Sequence, residues 1–107
     1  MIEVKVNPGV CGLKSVIKAN STDGMNSNVT IDSECPAVMK LAEKITTVDA
    51  MQEVFAPFGT SSVFTESNGI LTHATCPLPT AILKAVEASC SLALPVDVII
   101  EISKVDN

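Results

Sequence analysis

The sequence predicts a single α+β domain spanning residues 1–107, with an antiparallel or mixed sheet of about four strands and helices packed on one face. Three observations support this fold class. Apolar and polar residues alternate near both termini, a turn-rich segment separates two further alternating segments, and two Cys-Pro steps each precede a helix-like pattern. A chain of this length can bury about two-thirds of the surface that it exposes when unfolded. It therefore needs no disulfide or metal merely to fold.

The first third of the chain is predicted to form three strands. Residues 2–6 alternate between apolar and charged side chains, which is typical of a strand with one buried face. Residues 13–20 and 29–32 alternate in the same way. The intervening residues 21–28 are rich in Ser, Asn, Asp and Gly, the residue types that favour turns. We therefore expect the second and third segments to pair as an antiparallel hairpin.

Two helices are predicted in the middle of the chain. The first begins at Cys35-Pro36, because proline is tolerated at the first helical position, where its missing N–H would have no partner. Its apolar stripe consists of Val38, Leu41, Ala42 and Ile45. The second helix is shorter, is capped by Thr46 or Thr47, and must end before Pro57. Both helices are expected to cover the same face of the sheet.

Two structures are consistent with the sequence of residues 59–75. The dipeptide Asn68-Gly69 favours a two-residue turn, which would join residues 61–65 and 69–72 as a short hairpin. The alternative is a mobile loop. The sequence does not decide between them.

The C-terminal third is predicted to contain the longest helix and a final strand. The helix begins near Thr80, directly after Pro79, and is ended by Pro95. Residues 96–103 then alternate between apolar and polar side chains, as a strand does. Ile99 is the exception on the polar side of this strand. We expect a partner or a loop to cover it.

The composition excludes several classes of function. A net charge of −5 and a pI near 4.6 argue against a nucleic-acid partner, because clustered Lys and Arg bind the phosphates of nucleic acids. The longest apolar runs fall far short of the roughly 20 residues that a membrane helix requires. No basic segment followed by an apolar one opens the chain, so no signal peptide is predicted and the cytoplasm is the expected location. Acidic residues such as Glu34 and Glu53 are interpreted as surface charges.

The four cysteines and the single histidine are the candidate functional residues. In a reducing compartment, scattered cysteines are more often metal ligands, reactive thiols or small buried residues than disulfide partners. Cys11 lies in a glycine-flanked turn, and Cys35 and Cys76 lie at the starts of predicted helices, where the helix dipole favours a thiolate. His73 precedes Cys76 by three residues. Cys90 lies within the long helix and is assigned to the core.

Three functions are consistent with these residues, and the sequence assigns no catalytic role to any of them. The first is metal binding by Cys11, Cys35 and Cys76, with His73 as the fourth ligand and zinc or an iron–sulfur cluster as the cofactor. The second is a thiol-transfer module in which Cys76 acts covalently. The third is a structural or interaction protein that holds no metal and forms a homodimer through an exposed strand edge. Whether the chain is an enzyme is left open.

Two resemblances to known families accompany these patterns. The Cys-Pro-x-Pro sequence that begins at Cys76, with the apolar helix after it, resembles the motif of the TusA-like (SirA-like) sulfur carriers. That resemblance implies that Cys76 carries a persulfide between donor and acceptor proteins, with Pro77 and Pro79 shaping the start of the helix. Over its whole length, the chain resembles a small prokaryotic domain family of unknown function. The shared pattern is Val-Cys-Gly near the start, Cys-Pro in the middle and His-x-x-Cys-Pro late in the chain.

Overall fold

The computed structural model describes residues 1–106. Within these residues, four strands form one antiparallel sheet in which each strand pairs with the one before it in the chain. The strands are β1 (Ile2–Val6), β2 (Ser15–Asn20), β3 (Asn26–Ser33) and β4 (Thr47–Asp49). The predicted first strand and the predicted hairpin, which is formed by β2 and β3, are confirmed.

The helices of the described chain pack on one face of this sheet. They are α1 (Pro36–Lys44), α2 (Ala50–Val54), α3 (Ser62–Ser67) and α4 (Leu78–Ser89). Helix α1 lies against β3, α4 lies across β1, β2 and β3, and both α2 and α3 contact α4. The predicted α+β fold is therefore confirmed.

The two faces of the sheet differ in polarity. The residues of β2 and β3 that face the helices are buried in an aliphatic core that also includes Leu41, Ile82, Ala85 and Val86. On the opposite face, Lys18 and Thr30 are exposed. The strand register pairs Ile17 with both Val4 and Ile31, so the apolar side chains form a row across three strands. One covered face and one hydrated face are typical of an antiparallel sheet.

The turn between β2 and β3 is organised by Asp23. Its Oδ1 accepts hydrogen bonds from the backbone N–H groups of Asn26 and Met25, each at 2.8 Å. The side-chain amide of Asn26 donates to Oδ2 at 3.3 Å. These bonds favour the charged carboxylate and lower the pKa of Asp23 from 3.8 to about 2, with the backbone bond from Asn26 as the largest cause.

The second predicted helix begins differently from the prediction. Residues 46–47 do not cap it, because residues 47–49 pair with β3 as β4 and bury Val48. The cap is Asp49, whose Oδ1 accepts the N–H of Gln52 at 3.2 Å. A short strand thus takes the place of the first predicted helical turn.

The segment of residues 59–75 contains α3, which is neither the hairpin nor the mobile loop that the sequence allows. Ser61 caps this helix, because its Oγ accepts the N–H of Phe64 at 3.4 Å. The turn that was expected to close the hairpin follows the helix instead. The only β-pairing found around this turn in the described chain is an isolated bridge between Asn68 and Leu71.

Helix α4 ends at Ser89, before its predicted end. Ser91 adopts the left-handed conformation, with a φ of 60°. Its N–H donates to the carbonyl of Ala88 at 3.2 Å, and the N–H of Leu92 donates to the carbonyl of Glu87 at 2.8 Å. This pair of bonds is a Schellman motif, which satisfies carbonyl groups at the end of the helix and redirects the chain.

The strand predicted at residues 96–103 is wrong for the described chain, where these residues have no regular secondary structure and pair with no strand of the sheet. We call residues 94–105 the C-terminal tail. Its aliphatic side chains are exposed, and the molecule measures 51 Å along its longest axis against 28 and 25 Å along the others. The alternating pattern is present, but a strand requires a hydrogen-bonded neighbour, and among residues 1–106 no strand pairs with the tail.

Candidate functional site

Cys35 connects the end of β3 to the start of α1. It is the N-cap residue of α1 and Pro36 is the first helical residue, which confirms the predicted start of this helix. The N–H of Cys35 donates to Ser33 Oγ at 3.0 Å, and its carbonyl accepts the N–H of Met39 at 3.1 Å. The side chain is half-buried against the core. Its position is therefore fixed by the strand, the helix and the core together.

Cys11 lies in the connection between β1 and β2, and its side chain is exposed. The turn is closed by a hydrogen bond from the N–H of Gly12 to the carbonyl of Gly9 at 3.0 Å. Two further bonds attach the end of this connection to the Cys35 segment. The N–H of Lys14 donates to Glu34 Oε1 at 2.7 Å, and the N–H of Glu34 donates to the carbonyl of Lys14 at 3.0 Å. Cys11 and Cys35 therefore belong to neighbouring connections at the same end of the sheet.

Cys76 and His73 precede α4. The N–H of Cys76 donates to the carbonyl of His73 at 3.1 Å, so the two residues flank one tight turn. His73 is exposed, whereas Cys76 is half-buried against the core. The N-cap of α4 is Pro77 and its first residue is Leu78, so Cys76 lies just before the cap.

The orientation of α4 separates Cys76 from Cys90. The Oγ atoms of Ser27 and Ser89 lie 2.7 Å apart, which fixes the C-terminal end of α4 near the start of β3. A helix of this length spans about 18 Å, so its N-terminal end, with Cys76, is directed away from the start of β3. Cys90 is buried at the other end of the helix, as predicted.

The predicted ligands do not form a ready-made metal site. Among residues 1–106, no three His, Cys, Asp or Glu side chains are grouped closely enough to hold a metal ion. All four cysteines are free thiols. The hydrogen bonds described above join the connections that carry Cys11 and Cys35, but His73 extends into solvent beside Cys76.

The structure also buries an acidic residue that was predicted to be a surface charge. Glu53 is only 9% exposed, and its Oε2 accepts the N–H of Ser62 at the start of α3 at 2.7 Å. It lines a cleft of about 190 Å³ between α4 and the α2–α3 segment. Phe58, Phe64, Leu83 and Lys84 line the same cleft. No local pattern could reveal Glu53, because its partner belongs to a helix that the sequence did not predict.

The comparison with family models decides the affiliation of the chain. Residues 2–102 match the model of a family of unknown function, DUF6951. The chain belongs to DUF6951. This result confirms the predicted likeness to a small domain family of unknown function. No curated protein and no solved structure matches this DUF6951 member, and the local resemblance of Cys76 and its neighbours to sulfur carriers finds no support in the family match.

Within residues 1–106, every helix of the DUF6951 chain is too short or too polar to cross a bilayer.

Proposed function

We propose that this protein binds a metal ion, zinc or the iron of an iron–sulfur cluster, through Cys11, Cys35 and Cys76, with His73 as the fourth ligand. The proposal rests mainly on the pair of hydrogen bonds between Lys14 and Glu34, which tie the Cys11 connection to the start of α1. Thiolate and imidazole groups are the ligands that tetrahedral zinc sites and iron–sulfur clusters use.

The proposed ligands differ in their freedom to move. Cys35 and Cys76 pack against the core, each at the start of a helix. Cys11 lies in an exposed turn and His73 in an exposed connection, so the cost of moving them is low. In this proposal, metal binding draws these two residues toward two thiols that the fold already holds. The free energy of binding then adds to the free energy of folding.

The expected cytoplasmic location belongs to the same proposal. A reducing compartment keeps thiols available as ligands and keeps them from forming disulfides with one another. The four free thiols of this chain are compatible with such a compartment.

The test is metal content and stability of the full chain, purified anaerobically and then equilibrated with zinc. Replacing Cys11, Cys35 or Cys76 by Ser should lower metal content and remove the metal-dependent part of stability, about 2.7 kcal/mol when free zinc exceeds the dissociation constant 100-fold. Inductively coupled plasma analysis and urea unfolding measure the two quantities.

Cys90→Ala is the matched control, because Cys90 is a thiol at the far end of α4. It should reduce stability with or without metal, since it removes atoms from the core, but leave metal content unchanged. The proposal fails if the full chain binds neither zinc nor iron under reducing conditions. It also fails if the three serine variants retain the metal.

A second candidate function is thiol transfer by Cys76. This residue is partly accessible, lies just before α4 and begins the Cys-Pro-x-Pro sequence. Iodoacetamide at neutral pH should then modify Cys76 faster than Cys35, which is also half-buried at a helix start and serves as the internal control. Peptide mass spectrometry gives the rate at each thiol. Equal, slow rates at all of them would argue against this function.

A further inference from the structure

The C-terminal tail exposes a large amount of aliphatic surface. The side chains of Leu94, Val96, Val98, Ile99, Ile100, Ile102 and Val105 are each more than half exposed. Proteins that function as soluble monomers rarely leave a contiguous apolar surface of this kind in water, and where one occurs it commonly marks a contact with a partner.

The tail has the alternating sequence of a β-strand, but it pairs with no other strand of the described chain. Val98, Ile100 and Ile102 alternate with polar or charged residues, apart from Ile99. The backbone hydrogen bond found in the described tail runs from the N–H of Val96 to the carbonyl of Leu94, at 2.9 Å. The remaining N–H and C=O groups of residues 97–105 are thus available to a strand partner.

The open edge of β1 has the features needed to receive such a strand. In the described sheet, β1 pairs only with β2. Ile2 and Val4 are half-buried, whereas the residues that they face across the pair, Ala19 and Ile17, are fully buried. The apolar row beneath α4 is therefore incomplete on its outer side. The opposite edge, β4, offers only three residues.

We propose that the C-terminal tail of one copy of this protein pairs with the β1 edge of a second copy, and that two such exchanges form a symmetric homodimer. Val98, Ile100 and Ile102 of the tail extend the apolar row of the partner's sheet beneath α4. The backbone groups of β1 that face solvent in the single chain become paired. Because the exchange is reciprocal, the same two surfaces meet twice around a two-fold axis.

The other face of the sheet is polar at the β1 edge, as the arrangement requires. Glu3 and Lys5 are exposed on that face of β1, and Lys5 Nζ lies 3.9 Å from Glu3 Oε1. Asp97 and Glu101 lie on the polar side of the tail. A tail that directs its aliphatic row toward the helices therefore places these two carboxylates on the hydrated face, beside the Glu3–Lys5 pair.

The exit of the tail from α4 explains why a second copy is the expected partner. The Schellman bonds and the left-handed Ser91 fix the direction in which the chain leaves the helix. The tail that follows is exposed and is not paired with its own β1, and the molecule measures 51 Å along its longest axis. A segment that complements an edge of its own fold but leaves that edge unpaired is suited to exchange between copies.

The test compares two substitutions in the full chain, with oligomeric state measured by analytical ultracentrifugation in the presence of a chelator. Ile99 and Ile100 are equally exposed, at 76%, but lie on opposite sides of the tail. Ile100→Glu should weaken dimerisation about 100-fold, because a carboxylate enters the apolar row at two symmetric positions. Ile99→Glu, the matched control, should leave the dimer intact.

Hydrogen exchange of the same samples locates the interface. The proposal predicts protected amides in residues 96–103 of the dimer and loss of that protection in Ile100→Glu. A monomeric wild-type chain would overturn the proposal, whether its tail is unprotected or paired with its own β1. A dimer whose tail exchanges rapidly would overturn it as well, because its interface would lie elsewhere. Since a chelator is present throughout, these outcomes do not depend on the proposed metal site.

Discussion

Asp23 is the residue whose ionisation is most clearly linked to the fold. Its carboxylate accepts two backbone N–H groups in the β2–β3 turn, and its pKa of about 2 lies below the unfolded value of 3.8. A group with a lowered pKa stabilises the folded state when it is ionised. Its contribution is therefore fully present above about pH 4 and is lost as the pH falls toward 2.

The substitution Asp23→Asn should make stability less dependent on pH in this window. The asparagine keeps an acceptor oxygen but has no charge to lose, so its free energy of unfolding should fall less steeply between pH 4 and pH 2. Urea unfolding followed by far-ultraviolet circular dichroism at several pH values measures the difference. Parallel curves for the two proteins would show that Asp23 does not titrate with the fold.

Residue types could be assigned to the candidate site from sequence, but their arrangement could not. The start of α1 at Cys35-Pro36 follows from the properties of proline. The intervals between Cys11, Cys35 and Cys76 carry no information about distance, because strand pairing and helix packing set it. The bond between Lys14 and Glu34 joins residues 20 positions apart and has no sequence signature.

Among the strands and helices, most of the longer ones are predictable from the sequence, whereas the short elements β4 and α3 are not. Strands β1 to β3 and helix α1 have enough residues to show a period. Strand β4 has three residues and α3 has six, which is too few to distinguish the two periods. The long helix was predicted to run too far because Ala-rich and Leu-rich sequence continues beyond Ser89, where a Schellman motif ends it.

In this Schellman motif, Ser91 has the left-handed backbone conformation, and its substitution tests the cost of that conformation. Left-handed backbone is costly for residues with a Cβ atom, by about 1–2 kcal/mol, and glycine avoids the cost at the expense of greater freedom in the unfolded chain. Ser91→Gly should therefore stabilise the protein by about 0.5–1 kcal/mol. Chemical denaturation provides the measurement. Ser91→Ala keeps the Cβ atom and should bring no such gain, and equal effects of both substitutions would contradict the explanation.

The sequence predicts the fold class, the number of strands and three of the segments that form them, but it assigns the fourth strand to residues 96–103 instead of residues 47–49. The alternation at residues 96–103 is a true strand pattern, yet a pattern reports only that one face of the segment is apolar. The pattern does not show whether the strand that pairs with this segment belongs to the same chain or to another copy. The described sheet obtains its fourth strand from β4, and the C-terminal tail remains uncovered.

The sequential order of the strands has a consequence for synthesis on the ribosome. Each strand pairs with its predecessor, so the sheet can assemble progressively as the nascent chain emerges. Helix α4, which covers β1 and β2, is made last among the regular elements. Until residue 89 has left the exit tunnel, the apolar side chains of Ile17 and Val4 lack their cover. During this interval the nascent chain exposes apolar surface of the kind that promotes aggregation.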